Sequence, residues 1–278
     1  MGNPVVHFEV NGLQGADVAK FYSELFGWSV RTIPGMNYAS VDTRAGGGIN
    51  GGYGQTRVGQ QAFVTFYVAA GDLQSVLDSA ESLGAKTVVP VTQQDNVATR
   101  WRRSWWASTH RLPYMTSSPP QIPTFAQFAD PEGNIIGVVT GDDPDDPEGQ
   151  GRVSQGDNPG VEWFEVLGRD PKALWSFYGE LFGWTVKDVS GEGFTYGEVD
   201  PQSDRGIRGG IGSSPQGIPM VNIYARVDDL QKYVERAESL GGRTITPPTQ
   251  VNQGMAVALF QDPQGTSFGL FKLATARR

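Results

Sequence analysis

Phe21-Tyr22-Ser23-Glu24-Leu25-Phe26-Gly27-Trp28 decides the fold, because the chain repeats it 156 residues later as Phe177-Tyr178-Gly179-Glu180-Leu181-Phe182-Gly183-Trp184. Its apolar residues recur at helical spacing, and its glycine stands where a helix typically ends. A repeat of this length indicates that the chain was built by duplicating one unit. The flanking sequences repeat as well: residues 196–200 correspond to 38–42, 207–210 to 49–52, 229–231 to 72–74, and 262–265 to 130–133.

The first predicted strand alternates between two kinds of side chain from one residue to the next. Val5, His7 and Glu9 fall on one face, and the other face, with Phe8 and Val10, is apolar. The helix that follows is expected to cover the apolar face.

Each half is predicted to contain two βαβββ units. In the first unit the helix spans 17–26, and the later strands lie at 28–33, 38–42 and 46–54. The second unit has a strand at 62–68, a helix capped by Asp72, a strand at 87–91 and a hairpin over 124–139. The predicted fold class is therefore α+β, with four βαβββ modules that form two tandem domains.

Composition restricts the classes of partner. The net charge of -8 and the pI near 4.8 oppose binding to a phosphate backbone, so we expect no nucleic-acid partner. The absence of cysteine excludes disulfides, thiolate metal sites and a cysteine nucleophile. No apolar run approaches the roughly 18 residues of a membrane span, and the first residues do not resemble a signal peptide, so a cytoplasmic protein without a membrane partner is expected.

The predicted domains are residues 1–140 and 160–278, joined by an acidic linker rich in glycine and proline at 141–159. The first domain carries an insertion at about 95–122, because 40 positions separate Pro90 from Asp130 but only 15 separate Pro247 from Asp262.

The insertion is basic and aromatic, with Trp101, Trp105 and His110 in an otherwise acidic protein. Three interpretations stay open for it. It is a lid that stacks on an aromatic or anionic ligand, a contact between domains or between the protomers of a homodimer, or a segment without a designed role.

The paired βαβββ units, the Phe-Tyr-x-x-x-Phe-Gly-Trp helix ends and the Asp-Pro-x-Gly-Asn turn at 130–134 resemble the vicinal oxygen chelate superfamily. This group includes glyoxalase I, bleomycin-resistance proteins and extradiol dioxygenases. The resemblance implies one cleft per half. In metal-dependent members, His and Glu side chains from the first, fourth, fifth and eighth strands hold a divalent ion in that cleft.

The ligand positions that the resemblance implies are mostly filled by other residue types. His7 falls at or near the first-strand position, but Phe63 stands at the fifth-strand position and Gly137 at the closing one. The second half has Trp163, Met220 and Gly269 at the corresponding places. The resemblance therefore implies a branch without a metal ion, and no cofactor is expected.

The remaining cleft residues are candidates for ligand binding or catalysis. His7 and Glu9 form a candidate acid-base pair, in which the carboxylate fixes the imidazole; the alternative is a purely structural role. The candidate ligand-binding residues are Phe63, Thr65, Tyr67, Ile135, Trp101 and Trp105 in the first half, and Trp163, Glu165, Asn222 and Tyr224 in the second.

The leading hypothesis is a small-molecule-binding protein that works without a metal and sequesters or confers resistance to a toxic or aromatic natural product. The first alternative is a metal-independent isomerase, lyase or cofactorless oxygenase that uses His7 and Glu9. The others are a divalent-metal glyoxalase or dioxygenase, and a protein whose second half only supports assembly.

Overall fold

The computed structural model describes residues 2–33, 37–56, 59–93, 124–140, 156–252 and 254–274. These residues form two eight-stranded sheets, one in each half of the chain. The α+β class and the two tandem modules per half are confirmed.

The first sheet has the order β2-β3-β4-β1-β5-β8-β7-β6. The inner pairs β1–β4 and β5–β8 are parallel, and β1–β5 is antiparallel, so the two modules meet at β1 and β5. Its strands are β1 Val5–Gly12, β2 Ser29–Thr32, β3 Tyr38–Asp42, β4 Gly51–Gln55, β5 Phe63–Ala69, β6 Lys86–Gln93, β7 Thr124–Ala129 and β8 Ile135–Val139.

The second sheet repeats this arrangement, in the order β10-β11-β12-β9-β13-β16-β15-β14. Its strands are β9 Val161–Gly168, β10 Thr185–Asp188, β11 Tyr196–Asp200, β12 Arg208–Ser213, β13 Met220–Arg226, β14 Arg243–Asn252, β15 Met255–Gln261 and β16 Ser267–Leu273.

The helices end where the sequence signals predict, but the first begins at Gly15, two residues before the predicted start. Asp72 caps its helix by accepting a hydrogen bond from the Ser75 backbone N–H at 3.0 Å. Gly27 and Gly183 end theirs in the left-handed region, with φ of 77° and 70°. The described helices are α1 Gly15–Phe26, α2 Leu73–Ser82, α3 Pro171–Phe182 and α4 Leu230–Ser239. No helix among the described residues is long and apolar enough to cross a membrane.

The two halves share one hydrophobic core. The ring centroids of Phe66 and Phe164, on the two sheets, lie 4.6 Å apart. The ring centroid of Tyr22, on α1, lies 5.1 Å from that of Phe268 in the other half. The sheet face that carries these core residues is called the helix face. The opposite face, which carries His7 and Glu9 in the first sheet, is called the site face.

Reciprocal hydrogen bonds join the helices to the turns of the opposite half. Tyr178 donates to Asp130 at 2.8 Å, and Tyr22 donates to Asp262 at 3.2 Å. Both aspartates are buried, so each bond crosses the interface away from water.

A β-bulge at the start of β1 changes the predicted alternation. The register shifts between Val5 and His7, so Val5 lies in the main core, while Val6 packs with Tyr67 and Val139. The prediction that Val5 shares the face of His7 is therefore wrong, because the bulge inserts one residue between them.

Two other segments differ from expectation. The glycines at 46–48 form a loop, and β4 begins only at Gly51. The end of the predicted linker packs on the first half, because Asn158 donates to the carbonyls of Gly27 (3.0 Å) and Thr43 (3.1 Å) and Pro159 accepts from Trp28 (2.8 Å). Residues 141–155 and the insertion at 95–122 lie outside the described residues.

Candidate functional site

Three predicted site residues come together on the site face of the first sheet. His7 on β1 pairs with Tyr67 on β5, which in turn pairs with Gly137 on β8, and Glu9 pairs with Thr65. The sheet register therefore places His7, Glu9 and Tyr67 side by side.

The predicted residues around this group differ in burial and in hydrogen bonding; they are Phe63, Thr65 and Ile135. Phe63 is half-buried and pairs with Asn11, four residues along β5 from the partner of His7. Thr65 is fully buried, and its hydroxyl donates to the carbonyl of Ile135 at 2.8 Å. The Thr65 hydroxyl thus links β5 to β8, and in this conformation its proton is already donated within the protein.

Glu9 is held by a hydrogen-bonded network. Tyr67 donates to its carboxylate at 2.9 Å and itself accepts from the side-chain amide of Gln127 at 2.9 Å. Asn11 donates to the same oxygen at 3.4 Å.

Tyr38 joins His7 to Glu9. Its hydroxyl lies 2.8 Å from Nε2 of His7 and also hydrogen-bonds Glu9. When Tyr38 donates to the carboxylate, its oxygen accepts from an N–H at Nε2 of His7. The imidazole is therefore oriented through a tyrosine that the sequence-based hypothesis of a His7–Glu9 pair did not include.

Burial raises the pKa of Glu9 from its ordinary 4.5 to about 7, although the hydrogen bonds from Tyr67, Asn11 and Tyr38 act in the opposite direction. Burial and the nearby Glu9 charge also raise the pKa of Tyr67 well above its ordinary value, so this hydroxyl remains a donor. A carboxyl group with a pKa near neutrality can take up or release a proton under physiological conditions.

The second half repeats the glutamate and both tyrosines. Glu165 accepts from Tyr196 at 2.9 Å and from Tyr224 at 2.6 Å, and burial raises its pKa. Trp163 replaces His7, and its indole N–H donates to Tyr196 at 3.4 Å. Fully buried Asn222 contributes another hydrogen bond to Glu165. We call Tyr38, Glu9 and Tyr67, and likewise Tyr196, Glu165 and Tyr224, the tyrosine–glutamate centres.

Glycines make room for these tyrosines. A Cβ at position 52 would collide with the Tyr38 hydroxyl, and one at 137 would collide with the Tyr67 ring. The second half has the same arrangement, with Gly210 against Tyr196 and Gly269 against Tyr224.

The residues present do not fit a divalent ion at the site that the fold implies. The closing-strand position, where metal-dependent members of this fold carry Glu, is Gly137, and the Tyr67 ring occupies the space beside it. Within the described ranges, no group of three or more His, Cys, Asp or Glu side chains could hold an ion. Trp101, Trp105 and His110 lie outside those ranges.

Three residues of these networks were not predicted as site residues from the sequence: Tyr38, Tyr196 and Gln127. The signal for the two tyrosines was present, because Tyr38–Asp42 and Tyr196–Asp200 are corresponding strands that begin with the same residue. Gln127 had no such signal.

The two sheets of paired βαβββ modules define a tandem vicinal oxygen chelate fold, as the sequence resemblance predicts. Residues 164–271 match the family model of the glyoxalase-like domain.

Solved structures support this assignment of the fold. The Mn(II)-bound glyoxalase from Novosphingobium aromaticivorans aligns with a TM-score of 0.63 at 14% identity, over 98% of this chain and 82% of that one. The halotolerant catechol dioxygenase BphC aligns with a TM-score of 0.61 at 14% identity, over 99% and 89% of the two chains. At this identity the likeness concerns the fold alone.

Among curated proteins, the anthracycline biosynthesis protein DnrV of Streptomyces peucetius is 29% identical over 125 residues. The match covers 40% of this chain and 46% of DnrV, so it spans about half of the relative's length.

Proposed function

We propose that the chain binds a small, largely apolar or aromatic molecule on the site face of the first sheet, without a divalent metal ion. The observation that carries the proposal is the pairing of Tyr67 with Gly137, because the tyrosine ring occupies the space that a closing-strand carboxylate ligand would need. The Glu9 carboxyl accepts a hydrogen bond from the Tyr67 hydroxyl at this place.

The side chains around Glu9 suit such a ligand. Phe63, Phe125 and Ile135 are apolar and half-buried, and Gln127 and Tyr38 add a few polar groups. A mostly apolar surface with few polar groups is the usual form of a small-molecule site. Sequestration of a toxic or natural-product molecule is the leading activity, and the name of DnrV supports including anthracyclines among the compounds tested.

A metal-independent enzyme is the second candidate, and the pKa of Glu9 near 7 favours it. In that case Glu9 transfers a proton to or from the ligand, and His7 sets the orientation of Tyr38. An isomerase, a lyase or a cofactorless oxygenase would each need such a group.

The test has a metal arm and a ligand arm. We expect elemental analysis of untagged protein to find no near-stoichiometric Zn, Ni, Mn or Fe, and we expect a chelator to leave the melting temperature unchanged. Bound metal whose removal lowers the melting temperature would contradict the proposal, since a ligand specific for the native state stabilises it by mass action.

The ligand arm titrates an anthracycline and simpler polycyclic aromatics by calorimetry into wild type, Gln127→Leu and the matched second-half variant Glu165→Gln. We expect binding to wild type, weaker binding to Gln127→Leu and unchanged binding to Glu165→Gln. Sequestration predicts that binding survives His7→Ala without turnover, whereas catalysis predicts turnover that Glu9→Gln abolishes. Failure of every compound to bind refutes both.

A further inference from the structure

A cavity of about 1000 Å³ lies between the two halves, away from Glu9. The first half contributes the loop from Ala45 to Gly48, which offers mostly backbone. The second half contributes Trp163, which links this interdomain cavity to its own tyrosine–glutamate centre through the hydrogen bond to Tyr196. The apolar part of the wall also includes Met255, Phe271 and Leu273.

The internal repeat allows the residues that line this cavity to be compared with those at the equivalent positions of the first half. Trp163 pairs with Tyr224 as His7 pairs with Tyr67, so strand register assigns first-half counterparts to the wall residues on and next to the central strands. The counterparts of the wall residues are neutral and smaller: Asn50 for Arg208, Ala69 for Arg226, Val139 for Phe271 and Thr140 for Lys272. At these four positions the second half thus has three cations and one aromatic ring, where the first half has neutral residues without a ring.

The cationic side chains of the cavity wall can exchange one ion-pair partner for another. Four cationic side chains and three carboxylates line the interdomain cavity; they are Arg205, Arg208, Arg226 and Lys272, with Glu162, Asp204 and Asp228. Arg208 pairs with Asp200 at 2.8 Å and Arg226 with Glu162 at 3.4 Å, but the two arginine side chains are 70% and 51% exposed. Ion pairs this exposed contribute little stability, so a ligand carboxylate can replace the protein partner at small cost.

We propose that the interdomain cavity is a second ligand site, distinct from the site face of the first sheet, and that it binds a planar aromatic carboxylate. The ring packs against Trp163 and Phe271, and the carboxylate binds the guanidinium groups of Arg208 and Arg226. A guanidinium group recognises a carboxylate through two parallel N–H bonds, and the indole gives the flat apolar surface that an aromatic ring needs.

The test compares 2-naphthoate with 2-naphthamide, which has the same shape and no charge. Isothermal titration calorimetry is done on full-length wild type and on two variants that carry first-half residues, Arg208→Asn with Arg226→Ala, and Trp163→His. Both variants place side chains that this fold already accepts at the equivalent strand positions. Melting temperatures check folding.

We expect naphthoate to bind wild type about tenfold more tightly than naphthamide, and the double arginine variant to lose that preference. Trp163→His should weaken both probes by about tenfold. Glu24→Gln, at an exposed position on α1, should leave both affinities unchanged. Because the arginine and Trp163 variants alter only the second half, failure here is distinguishable from failure of the proposed function.

Three results would overturn the proposal. The first is no binding of naphthoate to wild type at millimolar concentration. The second is equal affinity for the two probes in wild type. The third is loss of naphthoate binding in Glu9→Gln with retention in Trp163→His, which would move the site to the first sheet.

Discussion

Replacing Glu9 by Gln should stabilise the protein at alkaline pH. The carboxyl group titrates near pH 7 in the folded chain, against an ordinary 4.5, so ionising it costs the fold free energy. A difference of about 2.5 pKa units corresponds to about 3 kcal/mol. Gln keeps the shape of the protonated acid and an oxygen that accepts from Tyr67, but it cannot ionise.

The sign of the pH dependence follows from the raised pKa. Between pH 4.5 and 7 the folded chain holds a proton at Glu9 that the unfolded chain has lost, so wild-type stability falls as the pH rises through this window. Below pH 4.5 the group is protonated in both states and the contribution is fully retained. The gain from Glu9→Gln should therefore be near zero at pH 4 and about 3 kcal/mol at pH 8.

Urea unfolding of wild type and variant at pH 4, 6 and 8 measures this difference, and the other buried acids are common to both proteins and cancel. Glu24→Gln, at an exposed position on α1, is the control and should change nothing at any pH. Carboxyl ¹³C shifts of labelled glutamate, assigned by the signal missing in Glu9→Gln, report the pKa directly. A gain that is the same at pH 4 and pH 8, or a titration midpoint near 4.5, would refute the reasoning.

Two further predictions concern side chains that hold the halves and the site together. Tyr178→Phe removes the 2.8 Å hydrogen bond to buried Asp130 and should lower the free energy of unfolding in urea by about 1–2 kcal/mol. Tyr22→Phe should lower it by less, because its hydrogen bond to Asp262 is longer, at 3.2 Å. Equal or negligible losses would show that these hydrogen bonds do not stabilise the interface. Gly137→Ala should cost about 1–3 kcal/mol because its methyl group meets the Tyr67 ring, and the cost should largely disappear in a Tyr67→Ala background; a cost that persists there would place the strain elsewhere.

Much of the fold could be predicted because its signals are local and occur twice. The spacing of Phe21, Tyr22 and Phe26 defines α1, and Gly27 ends it. Alternation along a strand needs only a period of two, so Glu9 and Tyr67 were assigned to one face. The bulge at Val6 could not be predicted, since nothing in the local pattern specifies one extra residue in a strand.

The contact between Tyr38 and His7 depends on information that no single segment contains. In the sheet order β3-β4-β1, Tyr38 lies two strands from His7, with β4 between them. The ring reaches across because β4 has Gly52 at the crossing point, where any side chain would meet the tyrosine hydroxyl. Predicting this contact requires the strand order, the register and the missing side chain together.

Comparison of the two halves distinguishes the features that both share from those that occur in only one of them. Both halves keep a half-buried glutamate, two tyrosines and the glycines beneath them, so the tyrosine–glutamate centre is compatible with either function and cannot distinguish the halves. One difference next to these centres is that His7 in the first half and Trp163 in the second contact the hydroxyl of the equivalent tyrosine. An imidazole can exchange a proton through that hydroxyl, whereas an indole can only donate to it and offer an apolar surface. If the metal-independent enzyme is the correct candidate, its proton transfer is therefore expected in the first half, while the indole of the second half offers a surface for ring stacking.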